Sequence, residues 1–346
     1  MKKIPVGVLG ATGSVGQKFI QLLDGHPYFE LTEVAASERS SGKSYGSHVN
    51  WFLDTPMPEG VRNKIIKNCE PGLDCPLVFS GLDAGIAGET ESAFAGAGYT
   101  VVSNSRNHRY DQDVPLLVPE INPDHLGLLE FQQYGDGKIV TNPNCSVIGL
   151  VLALKPLFDR FGLEAVNVVT MQALSGAGFP GMSGLSVLEN VVPHIGGEEE
   201  KMEKEPLKIL GSLEKDRVSP AKLEISAQCN RVPVIDGHTE AVQVRLGGKA
   251  SPEEIISAWR DFTGEPQKQD LPLAPGRPIH YFDRPDYPQP RLHRMIDKGM
   301  AVSIGNLRSC PIFDYKFTVL SHNTVRGAAG GAILCGELMY AMGLLH

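Results

Sequence analysis

Short apolar runs broken by glycine-rich turns dominate the first 144 residues. Residues 4–9 (IPVGVL) read as a buried strand, and residues 17–23 repeat their apolar positions with a helical period. Further strand-like runs lie at 31–36, 77–80, 100–103 and 138–140. Strands alternating with helical stretches predict an α/β unit with a parallel sheet. The pattern then changes. Residues 146–161 predict one long apolar helix, 165–172 a strand, and 241–246 another. Residues 264–292 hold seven prolines and little periodicity, and read as an extended arm or interdomain wrap without assigned chemistry. An apolar helix running to about residue 345 ends the chain, with small residues that allow close packing, and is expected to return to the first unit.

A length of 346 residues fits two domains, and 42% hydrophobic with 21% charged residues fits a chain that buries a sizeable core. The net charge of −8 speaks against broad nucleic-acid or anionic-membrane binding, although it leaves room for a local cationic pocket. The six cysteines, at 69, 75, 145, 229, 310 and 335, form no CxxC pair, so no metal site is expected and a reducing, cytoplasmic setting is. Met1-Lys2-Lys3 runs straight into the first strand, unlike a signal peptide, and no apolar run is long enough to span a membrane.

The turn Gly10-Ala11-Thr12-Gly13-Ser14-Val15-Gly16 lies between a strand and a helix, the context in which a pyrophosphate sits on a helix N-terminus. Its spacing is GxxGxxG. After the second strand comes Ser37-Glu38-Arg39-Ser40-Ser41-Gly42-Lys43, whose hydroxyls and cations suit a ribose 2′-phosphate and favour NADP. Glu38 would make NAD possible if it pointed inward. Ser80-Gly81 forms a turn beside the cofactor. Arg106 and Arg109 follow the 100–103 strand, where an anion can be held, and Arg109 is the one assigned to the site.

Cys145, in Thr141-Asn142-Pro143-Asn144-Cys145-Ser146, falls at the start of the long helix. Unpaired N–H groups and the helix dipole there favour a thiolate and can bind an oxyanion, which points to covalent catalysis at an acyl carbon. Gln172 closes a strand just before a glycine-rich turn that includes Ser175 and Gly176. Glu198 and Lys201 share a helix face but read on their own as a solvated helix start. His238 follows an Asp236-Gly237 turn, where a loop would project it into a cleft as acid–base, and Arg231 can grip a carboxylate. Asn323 is expected near the nicotinamide.

Together these pieces resemble aspartate-semialdehyde dehydrogenase of the archaeal and fungal branch over nearly the whole chain: GATGSVG (10–16), SNSRNHR (103–109), NPNCS (142–146), QALSGAG (172–178), ExxK (198–201), RVPVIDGH (231–238) and HNTVRGAAGG (322–331). The resemblance implies a Rossmann-type domain over 1–144 and 324–346, and an α+β catalytic and dimerisation domain with a mixed sheet over 145–323. It implies Cys145 as nucleophile, His238 as acid–base and Gln172 as the orienting residue. Arg231 becomes the carboxylate clamp, Glu198 the contact to the substrate amino group, Lys201 and Arg109 the phosphate ligands, with Asn144 a further substrate contact. Gly10, Thr12, Gly13, Ser14 and Val15, with Ser37, Arg39, Ser40, Ser80, Gly81, Ser175, Gly176 and Asn323, would hold NADP(H). The implied reaction converts aspartyl phosphate to aspartate semialdehyde and phosphate, in the route to lysine, threonine and methionine, by a homodimer or homotetramer. The alternatives are a malonyl-CoA reductase and, in another class, a non-catalytic dinucleotide sensor.

Overall fold

The computed structural model describes residues 2–345. Six parallel strands form the first sheet: β1 (Ile4–Leu9), β2 (Phe29–Ala36), β3 (Lys67–Asn68), β4 (Leu77–Ser80), β5 (Thr100–Ser103) and β6 (Lys138–Thr141). They run in the order β3-β2-β1-β4-β5-β6, with β1 parallel to both β2 and β4. The strand order reverses between β1 and β4, so the carboxyl ends there open a crevice, the site at which doubly wound sheets take ligands. Five of the segments singled out from sequence leave the sheet at that edge: 10–16, 37–40, 80–81, 103–109 and 142–145.

Two helices, α1 (Ser14–Leu23) and α2 (Ala84–Gly96), flank this sheet. α1 buries Phe19, Ile20 and Leu23 against the strands, and Phe19 stacks on Phe79 at 5.3 Å.

The second sheet is mixed. It contains β7 (Leu163–Gln172), β10 (Glu224–Arg231), β11 (His238–Leu246), β12 (Ile279–Phe282), β13 (Val302–Ser309) and β14 (Tyr315–Ser321), in the order β10-β7-β11-β14-β13-β12. A separate hairpin, β8 (Ser212–Glu214) and β9 (Arg217–Ser219), lies between β7 and β10 in the chain. The long helix α3 (Cys145–Phe161), with α4 (Glu198–Ile209) and α5 (Pro252–Arg260), covers one face. α3 is buried along most of its length, from Ser146 to Leu154 without a break. The other face of β7 and β11 alternates buried with half-exposed positions, the mark of a sheet packed on one side only. The fold is thus α/β with a Rossmann-type strand order in one sheet and a mixed second sheet.

The last helix, α6 (Gly330–Ala341), packs Ile333, Leu334 and Leu338 into the first core, beside Phe19, Phe29 and Phe79. The proline-rich 264–292 segment does wrap across both units: Leu271 joins the first core and Ile279 the second. It is not extended throughout, because Glu265–Lys268 and Pro290–His293 are helical, while β12 between them pairs in parallel with β13 at the sheet edge. His238 departs from the expected loop position. It is the first residue of β11, so a strand rather than a loop aims it. The strands β10, β13 and β14 have no counterpart among the sequence expectations.

Candidate active site

The strand register assembles one row of the second sheet. Arg231 pairs with Gln172 across β10 and β7, Thr239 pairs with Met171 across β11 and β7, and His238 pairs with Ser321 across β11 and β14. Arg231, Gln172 and His238 therefore lie side by side at the end of the sheet, and all three are buried. α3 begins at this row. Its first residue, Cys145, is half-buried, and its Sγ lies 3.2 Å from His238 Nε2. Asn144 caps the helix, its Oδ1 accepting from the Ser146 N–H at 2.9 Å.

A second layer of charged groups surrounds the thiol. The Glu198 carboxylate accepts from Lys201 Nζ, from Asn144 Nδ2 and, at 3.2 Å, from Gln172 Nε2. Arg231 Nη1 donates to the Ala173 carbonyl at 2.7 Å. Arg109 donates to Glu205 Oε1 at 2.8 Å, and the other oxygen of Glu205 accepts from the Asn144 N–H at 2.7 Å. Glu205 is fully buried and joins the 103–109 loop to the segment before Cys145, yet sequence reasoning passed over it. A signal existed: residues 198, 201 and 205 recur on the face of α4 that also buries Met202 and Ile209.

The electrostatics correct one expectation. Burial pushes the Cys145 thiol up to about 12, and Glu198 adds to the rise, while Arg109, Lys201 and Arg231 oppose it. Burial lowers His238 to about 3, and Arg231 pushes the same way. Burial thus favours the uncharged form of each group taken singly. The helix terminus and histidine do not by themselves supply a thiolate, because desolvation is the larger effect. Burial also pushes the Glu198 carboxyl up, but Lys201 and the Asn144 and Gln172 amides outweigh it and hold it below its ordinary value.

Between the sheets lies a second set of groups. Gly10 has φ +73°, and a Cβ there would sit 2.7 Å from the Gly81 carbonyl, so the 10–16 loop and the 80–81 turn meet backbone to backbone. Gly13 caps α1 with no side-chain hydrogen bond, and Thr12, Gly13, Ser14 and Val15 all keep some exposure. This leaves the amides at the helix start available to a phosphate. Ser37 and Arg39 are exposed at the end of β2, as is Glu38, whereas Ser40 is buried against His48 at 3.2 Å. Ser80 also turns inward: with Ser103, it donates to the buried Glu91, so only its backbone faces the crevice side. Asn323 is buried, accepting from the Gly237 N–H and donating to Ser175 Oγ, each at 2.8 Å. It ties the turn before His238 to the glycine turn. Phe179, at the end of that turn, stacks on Phe52, in the segment between β2 and β3, at 4.2 Å.

Gly176 is where the glycine turn touches Arg231 and His238. A Cβ there would lie 2.8 Å from Arg231 Nη1 and 3.1 Å from His238 Cε1. Gly176→Ala is expected to lower kcat/KM about 100-fold by displacing both side chains, with the melting temperature little changed. Steady-state kinetics beside a thermal melt check this; an unchanged kcat/KM would contradict the packing.

Among the described residues no cluster of His, Cys, Asp or Glu is arranged to hold a metal ion, and no helix is long and apolar enough to cross a membrane.

Two family models match the chain: the semialdehyde dehydrogenase NAD binding domain over residues 5–129 and the semialdehyde dehydrogenase dimerisation domain over 154–326. Among curated relatives, aspartate-semialdehyde dehydrogenase of Methanothermobacter thermautotrophicus is 49% identical over 343 residues, covering 97% of this chain and 99% of that protein. The same enzyme of Archaeoglobus fulgidus is 50% identical over 338 residues, covering 96% and 97%. Among solved structures, aspartate-semialdehyde dehydrogenase with NADP from Candida albicans superposes with a TM-score of 0.92 at 43% identity, covering 99% of this chain and 100% of that one.

Proposed function

Because the chain belongs to the aspartate-semialdehyde dehydrogenase family, we propose that it carries out the NADPH-dependent reductive dephosphorylation of L-4-aspartyl phosphate to L-aspartate 4-semialdehyde. The observation that carries the chemistry is the Cys145–His238 contact inside a ring of Arg109, Glu198, Lys201 and Arg231. Nothing in the comparisons favours a malonyl-CoA reductase or a non-catalytic sensor.

Cys145 Sγ forms a bond to the acyl carbon, the C–O bond to phosphate breaks, and a thioester remains on the enzyme. The thiol proton ends on the departing phosphate, which leaves as hydrogen phosphate. NADPH, when bound, supplies the hydride that reduces this thioester. The resulting thiohemiacetal oxyanion re-forms a carbonyl as the C–S bond breaks, which releases the aldehyde and returns Cys145 as thiolate, to be reprotonated from solvent. His238 Nε2 stands where it can meet the sulfur and the reacting oxygen. Arg231 holds the substrate carboxylate, Glu198 its ammonium, and Arg109 with Lys201 the phosphate. Asn144 and Gln172 hold Glu198 in place and face the same space. Three cations, Arg109, Lys201 and Arg231, against two carboxylates, Glu198 and Glu205, leave a net positive site that suits an anionic substrate within an acidic chain.

The residues fit the dinucleotide. The first-turn amides of α1, from Ser14 on, suit a pyrophosphate, and exposed Ser37 and Arg39 suit a 2′-phosphate. Ser40 and Ser80, turned inward, contribute through backbone; Gly81, Ser175 and Gly176 line the crevice, and Asn323 holds Ser175 in place. Arg39→Ala is expected to raise KM for NADPH about tenfold with kcat little changed, the loss of one charge-assisted hydrogen bond. An unchanged KM would remove Arg39 from the site.

In this reading the dinucleotide unit comprises 1–144 with 324–346 and the catalytic unit 145–323, in a cytoplasmic homodimer or homotetramer. The dimerisation-domain match and the exposed Leu185, Leu188 and Val191 support a covering copy of the same chain. Leu185→Asp with Leu188→Asp is expected to yield monomer in light scattering, and an intact oligomer would place the interface elsewhere. The reaction itself is tested by NADP reduction with aspartate semialdehyde plus phosphate, set against malonyl-CoA reduction with NADPH. Phosphate-dependent turnover supports the assignment, and activity with the CoA ester alone overturns it.

A further inference from the structure

Glu198, Lys201, Glu205 and Lys208 follow one another along α4 at intervals of three or four residues, so they share one face of the helix. Glu198 and Lys201 pair beside the thiol, and Glu205 holds the Arg109 guanidinium. Lys208 lies about one turn further along. Its Nζ donates to three backbone carbonyls, those of Arg109 at 2.9 Å, Asp111 at 2.7 Å and Val114 at 2.8 Å. We infer that Lys208 is a positioning residue for Arg109: it gathers the 109–114 segment onto α4 and so sets where the guanidinium meets the phosphate. The inference rests on the reading of Arg109 as a phosphate ligand.

An ammonium has three N–H groups, and here it meets three carbonyl acceptors. Burial lowers Lys208 to about 8, with Asp111 and Asp113 opposing, so at neutral pH it keeps its charge. The segment it holds does little to fix itself. Its turns rest on long bonds: Arg109 N–H to the Arg106 carbonyl at 3.3 Å, Asp111 N–H to the His108 carbonyl at 3.2 Å, and Val114 N–H to the Asp111 carbonyl at 3.4 Å. Among the described residues the carbonyls of Arg109 and Val114 accept from no group but Lys208. The charge-assisted bonds to the ammonium therefore supply the order that the backbone lacks.

Arg109 is thus held at both ends. Nη1 donates to Glu205 Oε1 and Nη2 to the Asn104 carbonyl, each at 2.8 Å, while Lys208 holds its main chain. Nε is buried without a partner among the described residues, and each terminal nitrogen keeps a second N–H, so the guanidinium can still take an anion. The other oxygen of Glu205 accepts from the Asn144 N–H, which puts this guanidinium in register with the start of α3. Freeing the 109–114 backbone would let the guanidinium drift from the place where phosphate meets the acyl carbon. The groups that face the carboxylate, the ammonium and the dinucleotide stand on other elements and would stay where they are.

Steady-state kinetics of the full chain in the oxidative direction test this, with aspartate semialdehyde, NADP and inorganic phosphate varied in turn. Lys208→Met is expected to raise KM for phosphate about tenfold, with KM for NADP and for the aldehyde within about twofold of the parent. Arg109→Gln is expected to raise KM for phosphate about tenfold or more. In the double variant the Lys208 change should add about twofold at most, because the side chain it places is gone. An unchanged phosphate KM in Lys208→Met, parallel rises in all three KM values, or a full Lys208 effect surviving in the Arg109→Gln background would each overturn the inference. Should Lys208→Met fail to fold, Lys208→Arg gives the second reading. It keeps the charge but spreads its donors over a planar fork, and is expected to raise KM for phosphate alone, about threefold. No rise there overturns the inference too. The two readings fail differently: a phosphate KM that Arg109→Gln leaves unchanged removes Arg109 as phosphate ligand and the inference with it. A rise in that variant with none in either Lys208 variant removes the inference alone.

Discussion

Cys145→Ser is expected to lower turnover by about 10⁴-fold or more while leaving NADPH affinity within about twofold of the parent. The hydroxyl fits the space of the thiol and can still meet His238 Nε2, so the fold and the cap at Asn144 should persist. What changes is the nucleophile. An alcohol ionises far less readily than a thiol, and an oxygen ester is a poorer hydride acceptor than a thioester. The dinucleotide side is spared, because the 10–16 loop and the residues after β2 leave the first sheet at different strand ends from Cys145. Fluorescence titration with NADPH and steady-state kinetics on the same sample separate the two outcomes. Near-normal turnover in this variant would rule out covalent catalysis at Cys145.

The largest effect on stability is expected from Arg326→Met. Arg326 is fully buried, and its two terminal nitrogens donate to the two oxygens of Glu120 at 2.8 and 2.6 Å. The pair ties the returning C-terminal segment to the loop before β6, across 206 residues of chain. Methionine leaves Glu120 buried without its cation, which costs about 3–5 kcal/mol. Replacing both partners, Arg326→Met with Glu120→Leu, should recover much of that loss, since an apolar pair carries no unpaired charge. The urea midpoint of unfolding reads both variants. Activity should fall in the single variant too. Gly327, the next residue, lies against the Cys145 backbone so closely that a Cβ would come within 2.8 Å of the Cys145 carbonyl. A melt of the single variant indistinguishable from wild type would mean the pair bears no load.

Much of this arrangement can be read in the sequence, and the parts that cannot share a physical cause. The 10–16 turn is legible because strand, glycines and helix are contiguous and local sterics constrain them. The start of α3 is legible to within one residue, because Asn144 is a good cap and the helix behind it is apolar from Val147 to Leu154. Glu198 and Lys201 read alone as a solvated helix start, and only likeness to a family placed them inside. Their burial depends on β7 and β10, distant in sequence, coming to lie against α4. The strand β10 itself, EISAQCNR, mixes charge and apolar residues because one sheet face stays half-open, so its periodicity is weak. The Cys145 thiol shows the limit most clearly. Its place at a helix start is a local fact, whereas the upward push on its thiol comes from burial in the assembled fold and from the charge of Glu198, 53 positions further along the chain.

The central claim is a thioester on Cys145. The most direct measurement mixes the enzyme with aspartyl phosphate in the absence of NADPH, quenches in acid, and maps the modified peptide by mass spectrometry. An aspartyl adduct on the peptide containing Cys145, absent in Cys145→Ser and discharged to aldehyde when NADPH is added before the quench, is the predicted result. Full turnover with no adduct on that peptide, or an adduct confined to another residue, would contradict it.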